Sequence, residues 1–207
     1  MNTHIYLNPT HELGERVANL LSLMTVEEKI GILPTVQKGV PRLSIPAYQV
    51  EGEGAHGVVS REPVFKHWDN IESGIATVFP QPMGLSATWD DELMRKIGSV
   101  IGDEARVYYN KAGRNRWATL WFPTIDMERD PRWGRNEEAY GEDPYLAGKL
   151  AAALIRGAQG DDPFYVKLVC APKHFYGNNV ERNRDIVSTN ISERAKHEYY
   201  QIGRAHV

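Results

Sequence analysis

The chain has 207 residues, 42% of them hydrophobic and 25% charged, which is the composition of an ordinary globular protein and not of a disordered or fibrous one. Lys and Arg number 24 against 27 for Asp and Glu, a formal net charge of -3, so no broad positive field is available to gather nucleic acid or anionic lipid. Cys170 has no second cysteine to pair with, no apolar run approaches the ~18 residues of a membrane span, and the start shows no basic region followed by an apolar stretch of the secretory kind. These features point to a cytoplasmic protein with neither nucleic-acid nor membrane partners.

After Pro9-Thr10, apolar residues recur at Leu13, Val17, Leu20, Leu21 and Met24, the three-and-four spacing of a helix that packs by one stripe. Thr25 and Glu28 form a capping-box pattern for a second helix, which Pro34 halts. From Gly39 to Pro82 the chain is rich in Gly, Pro and isolated apolar residues and reads as one strand, around AYQV, passing into a long loop. Thr88 and Asp91 can open the next helix, whose inward face carries Leu93, Ile97, Val100, Ile101 and Ala105 and which ends near Gly113. The strand ATLWFP follows, then the charged loop DMERDPRWGRNEEAYGED, then a helix with Asp143 as cap and Pro144 at its first position. YVKLVC is a compact apolar strand, APKHFYGNNVERNR a polar loop, and SERAKHEYY the start of a helix capped by Ser192.

Strands alternating with helices imply crossover units and a parallel sheet, either a (β/α) barrel or an open doubly wound sheet. No fixed-period repeat and no Gly/Ser linker divides the chain, so one domain is expected.

In either architecture a ligand site lies where parallel strands end and loops begin, which singles out the loops after AYQV, LWFP and VKLVC. The first holds Glu51, Glu53 and His56 among glycines. The second holds Arg129, Arg132 and Arg135 with Glu128, Asp130 and Trp133, either a sugar-binding set of charged donors and an indole face or a structural ion-pair network. The third places Lys173 and His174 directly after an apolar strand, where a core cannot readily absorb their polar tips. No HExxH, no paired cysteines and no close His-carboxylate set indicates a metal; the glycines from Gly52 to Gly57 lack the Lys-Ser/Thr ending of a phosphate loop and no GxGxxG opens a helix, so no cofactor is expected.

The segments LLSLMTVEEKIGIL, EGEGAHGVV, ERDPRWGRNEEAYGEDP, APKHFYGNNVERNR and ISERAKHEYY together resemble successive landmarks of glycoside hydrolase family 3, in the family's order and over almost the whole chain. The resemblance implies an α/β fold: a partial (β/α)8 TIM-barrel-like domain over residues 1–200, breaking off before the barrel closes. It implies β-linked glucosides or xylosides as substrates, hydrolysed with retention and without metal or cofactor. Matched residue by residue, Glu53 stands at the family's acidic position near the start of the barrel, and Arg135, Lys173 and His174 stand at its clamps for the non-reducing-end sugar. Arg184 is a further candidate for the same pocket. Many members carry Asp where this chain has Glu53, and a Glu there is associated with the xylosidase and arabinosidase side. A match to the N-acetylhexosaminidase branch, with its His-containing motif, is weaker.

Retaining hydrolysis needs a nucleophilic carboxylate and a second carboxyl about 5–5.5 Å away, and by resemblance both are expected beyond the end of this chain, so no catalytic residue is named within it. Residues 201–207, QIGRAHV, break the family pattern and read as a translated sequencing adapter, expected to be no part of the fold. The expected alternative to an incomplete hydrolase is a non-catalytic sugar-binding half-domain. Nothing in the sequence fixes the oligomeric state.

Overall fold

The structure is a computed structural model that describes residues 4–50, 52–59, 76–178 and 180–200. The terminal stretch 201–207 and Glu51, both singled out above, lie outside the described residues. The chain divides into two compact units, Met1–Val50 and Glu51–Val207.

In the first unit a turn of 3-10 helix at Ile5–Leu7 precedes α1 (Leu13–Leu23) and α2 (Val26–Gly31). The Thr25 hydroxyl accepts from the Glu28 N–H, and the Glu28 carboxylate accepts from the Thr25 N–H, so the capping box satisfies two donors that the first turn would otherwise leave open. The same carboxylate pairs with Arg42. The small core is Tyr6, Met24, Val40 and Leu43, with Leu20 and Leu23 packed against it, and the Tyr6 hydroxyl donates to the Leu43 carbonyl at 2.6 Å. The packing face of α1 is thus narrower than its apolar stripe implies: Leu13, Val17 and Leu21 are exposed, because the unit offers only one short apolar surface to cover. AYQV also departs from expectation. Its Tyr48–Gln49 (β2) pairs antiparallel with Val36–Gln37 (β1), and Val50 N–H bonds the Thr35 carbonyl, so this strand is tied into a hairpin and not into a parallel sheet.

The second unit carries α3 (Pro82–Ser86), α4 (Asp91–Lys111), β3 (Thr119–Leu120), α5 (Pro144–Gln159), β4 (Val169–Cys170) and α6 (Glu193–Ala195), the last running into a wide turn at Lys196–Tyr200. Asp90 caps α4 by accepting from Leu93 N–H, and Asp143 caps α5 by accepting from Leu146 N–H. The two long helices bury Met94, Ile97, Ile101, Leu150 and Leu154 in one core with Leu120, Phe122 and Leu168, each such side chain contributing roughly 1.5–3 kcal/mol by leaving water. They approach closely at Gly98, Gly102 and Gly157, where a Cβ would run into the facing helix's backbone.

β3 and β4 pair in parallel, with Thr119 opposite Val169 and Leu120 opposite Cys170. A parallel bridge from Glu53 to Trp121 adds a neighbour on the free edge of β3, and one from Thr124 to Lys173 lengthens the β3–β4 pairing. Three successive segments, at 52–53, 119–124 and 169–173, therefore lie side by side, joined by helical crossovers, as one sector of a β/α barrel; among the described residues the strands do not close on themselves. The regular ladders are shorter than ATLWFP and YVKLVC suggest. Trp117 takes a positive φ of 74° just before β3, and Pro123 brings no N–H to the ladder, though its carbonyl still accepts from Lys173 N–H at 3.0 Å. Gly52 has φ +95°, and a side chain there would strike Leu120 and Trp117, so glycine lets the first segment lie flat on the second. No helix among the described residues is long and apolar enough to cross a membrane.

Candidate functional site

At the ends of these three segments lies a cleft of about 450 Å³, walled by Glu53, Arg135, Glu138, Lys173, Glu181 and Arg184, with His56 and Gln81 at its margin. Glu53 and Lys173 stand on the sheet itself, and the other polar wall residues come from the loops that follow Thr124 and Lys173. Glu53 is the last bridged residue of its segment, and Lys173 is bridged to Thr124, so sheet pairing fixes both backbones.

Arg135 is positioned by its own loop. Asp130 accepts from the backbone N–H of Arg132 at 2.8 Å and from its guanidinium at 2.9 and 2.6 Å, which folds DPRWG into a tight turn. Trp133 is buried beneath that turn. A turn of 3-10 helix at Asn136–Glu138 then brings Glu138 back to Arg135.

The groups interlock. Lys173 Nζ donates to Glu53 Oε2 at 2.6 Å and lies 3.7 Å from Glu138 Oε2. Arg135 donates from Nε and Nη2 to the two Glu138 oxygens at 2.8 and 2.6 Å, the forked geometry that makes Arg–carboxylate pairs strong and directional. Arg184 donates to Glu181 Oε2 at 3.2 Å, while Glu181 Oε1 lies 3.7 Å from Arg135. Side-chain exposure of 11% for Lys173, 14% for Glu53 and 12% for Arg135 means that these charges are poorly screened, so each cation needs its carboxylate. Burial alone would push the Glu138 carboxyl up, but the bonds from Arg135 and the nearby Lys173 charge more than reverse this and hold it below the usual carboxylate range. The bond to Glu138 in turn raises Arg135.

Of the five residues singled out by resemblance, Glu53, Arg135, Lys173 and Arg184 meet in this cleft. His174 stands behind Arg135, its Nε2 2.9 Å from Arg135 Nη1, and lines a neighbouring hollow that it shares with Arg184. The charged loop divides between both readings open from sequence. Arg132 pairs with Asp130 at the surface, with the Asp130 carboxyl depressed to about 2 by Arg132, and Arg129 lies over the Tyr200 ring at 4.0 Å. With Trp133 buried, its indole offers no open face to a ring. Only Arg135 of the three arginines reaches the cleft. Glu138, Glu181 and Asp126 were not picked out from sequence; the one local signal was Glu138 standing three residues after Arg135, the spacing of one turn. Among the described residues no cluster of three or more His, Cys, Asp and Glu could hold a metal ion.

A sector of parallel β/α units carrying a polar, ion-paired cleft at its strand ends defines a domain of the β/α-barrel type, with its ligand cleft at the usual end. The model of the glycosyl hydrolase family 3 N-terminal domain matches residues 56–201, and the chain belongs to that family. It is 38% identical over 181 residues to probable beta-D-xylosidase 7 of Arabidopsis thaliana, covering 84% of this chain and 23% of that protein. It is 40% identical over 190 residues to the probable exo-1,4-beta-xylosidase bxlB of Aspergillus terreus, covering 89% of this chain and 24% of that protein. Among solved structures it resembles a family 3 exo-beta-xylosidase, XlnD, in complex with a xylobiose aziridine probe, with a TM-score of 0.78 at 28% identity over 97% of this chain and 26% of that one. It also resembles beta-glucosidase 3B of Thermotoga neapolitana, with a TM-score of 0.75 at 30% identity over 92% of this chain and 27% of that one. The chain spans about a quarter of the length of these relatives.

Proposed function

We propose that the cleft binds the terminal, non-reducing-end sugar of a β-linked glycoside, a β-xyloside before a β-glucoside, and that the whole protein hydrolyses this linkage with retention. The observation that carries this reading is the pairing of every cation in the cleft with its own carboxylate: Lys173 with Glu53, Arg135 with Glu138, Arg184 with Glu181. With Glu137 also in the lining, three cations face four carboxylates, so the wall has no positive surplus to gather an anion, yet it presents fixed acceptors and donors to a neutral polyol, whose hydroxyls can do both. Charge-assisted bonds from rigid partners hold one ring in a defined pose, which is how positioning lowers a barrier. Glu53, Arg135, Lys173 and Arg184 take the binding roles and His174 supports Arg135. The preference for xylose rests on the relatives named above and on Glu53 at the acidic position.

None of these carboxylates is assigned as nucleophile or acid/base. A carboxylate tied to Arg or Lys is a stabilised anion, poor at attack and poor at giving a proton. In this proposal the catalytic pair comes from the part of the relatives' length that this chain does not match.

Calorimetric titration with xylobiose tests the reading, with cellobiose as the β-glucoside comparison and maltose as the α-linked control. Saturable binding of xylobiose tighter than cellobiose, and none of maltose, is the expected result; equal or absent response to all three removes the proposal. Hydrolysis of a chromogenic β-xyloside by a protein of the relatives' length separates an enzyme from a sugar-binding module, which would bind xylobiose and leave it intact.

A further inference from the structure

Behind the cleft, Asp126 is a buried carboxylate that the ion pairs of the wall do not use. Its Oδ2 accepts from the backbone N–H of His174 at 3.1 Å and lies 2.7 Å from His174 Nδ1. On the far side of the ring, Nε2 lies 2.9 Å from Arg135 Nη1. A guanidinium only donates, so Nε2 must present its lone pair and the ring hydrogen must sit on Nδ1, pointing at Asp126. The opposite tautomer would set N–H against N–H at Arg135 and a lone pair against a carboxylate at Asp126, two repulsions at hydrogen-bond distance. Asn178 approaches the same Nδ1 to 2.9 Å, and its amide oxygen and nitrogen exchange by a half-turn, so it joins as a second acceptor.

We infer that Asp126 is a positioning residue: it selects the Nδ1–H tautomer of His174 and thereby makes Nε2 the acceptor that fixes the outer nitrogen of Arg135. Glu138 already holds Arg135 Nε and Nη2; at Nη1, Glu181 Oε1 stands 3.7 Å away, beyond hydrogen-bond reach, so the Asp126–His174 relay supplies the hydrogen bond there. Three carboxylate- or imidazole-held nitrogens define the guanidinium plane, which two alone leave free to rock about the forked bond. Second partners that set a histidine's tautomer recur wherever the other nitrogen has a job.

The test rests in part on the sugar reading, and its two arms keep the ideas apart. In the first, a long-range 1H–15N correlation spectrum of the 15N-labelled chain, taken above the ordinary imidazole range and assigned by loss of the signal in His174→Gln, reports which ring nitrogen carries hydrogen. Hydrogen on Nδ1 is expected; hydrogen on Nε2 in the unmodified chain overturns the inference and needs no variant that folds. In the second arm, Asp126→Leu keeps the branched outline and removes the acceptor, and Asp126→Asn keeps an acceptor at the original size. The Leu variant should lose the fixed tautomer and bind xylobiose about tenfold more weakly, a loss of ~1.4 kcal/mol, whereas Asn should restore the tautomer and most of the affinity. Wild-type tautomer and affinity in the Leu variant, or failure of Asn to restore either, overturns it. An Nδ1–H spectrum in a chain that binds no sugar supports the relay and removes only the sugar reading.

Discussion

Replacing Gly157 with Ala tests how the second unit is held together. A Cβ at Gly157 would lie 2.8 Å from the Arg95 carbonyl carbon and 2.9 Å from the Ser99 nitrogen, and nearer still to the Arg95 oxygen. Ordinary contact is ~3.5 Å or more, so α4 and α5 must part by at least about 0.7 Å at their crossing. No rotamer relieves this, because the obstacle is main chain. Ala gains about 1 kcal/mol over Gly in helix propensity, while overpacking against backbone belongs at the upper end of the usual 1–3 kcal/mol range. The net expectation is a loss of about 2 kcal/mol, equivalent for a unit of this size to roughly 4–8 °C in Tm. Urea unfolding followed by far-UV circular dichroism measures it, with Gly84→Ala as control, since a Cβ there meets only Pro80 at an ordinary 3.6 Å. If Gly157→Ala proves as stable as Gly84→Ala, the close helix crossing is not what the sequence encodes, and the account of the core fails.

Arg135→Lys keeps the charge but loses the fork that grips both oxygens of Glu138; xylobiose affinity should fall about tenfold, or ~1.4 kcal/mol, as read by titration, and an unchanged value would show that charge alone matters there. Glu128 supplies a pH prediction. Burial first and the neighbouring Glu142 second lift its carboxyl above the ordinary 4.5, with the Gly141 N–H pulling the other way, and one of its oxygens is buried without a hydrogen bond. The folded chain therefore keeps this proton to higher pH than the unfolded chain, so stability falls as pH rises from 4.5 through the raised folded value. Glu128→Gln should raise Tm near pH ~7 and leave it unchanged below pH ~4, where both states are protonated; a thermal melt at each pH decides.

Local chemistry was the legible part of the sequence. The Thr25–Glu28 box, the Asp143 cap with Pro144 behind it and the Ser192 cap all act within four residues, and each stands where its pattern places it. The sheet was legible as an order of segments but not as pairings: AYQV has the pattern of a buried strand, yet a hairpin partner only a dozen residues earlier captures it, and the parallel neighbour of β3 is the glycine-bounded Glu53, which has no strand pattern at all. In the site, Lys173 stood out as a cation directly after an apolar strand, and Arg135 as one of three arginines in a charged loop. Asp126 did not, because its importance lies in one oxygen facing a ring 48 positions away, a relation that no spacing rule expresses. The buried Trp133 shows the same limit from the other side: an aromatic among arginines looks like a ligand platform until its burial is known.

The Lys173–Glu53 pair joins residues 120 positions apart. Closing a flexible loop of that length costs on the order of 4 kcal/mol in chain entropy, more than a single partly buried ion pair returns. The cleft therefore cannot assemble ahead of the helices that shorten the path between its walls, and it should appear among the last events of folding. Amide hydrogens of Gly52, Glu53, Lys173 and His174 should consequently exchange no more slowly than those in the middle of α4 and α5, and no peptide excised from a single loop will carry the site.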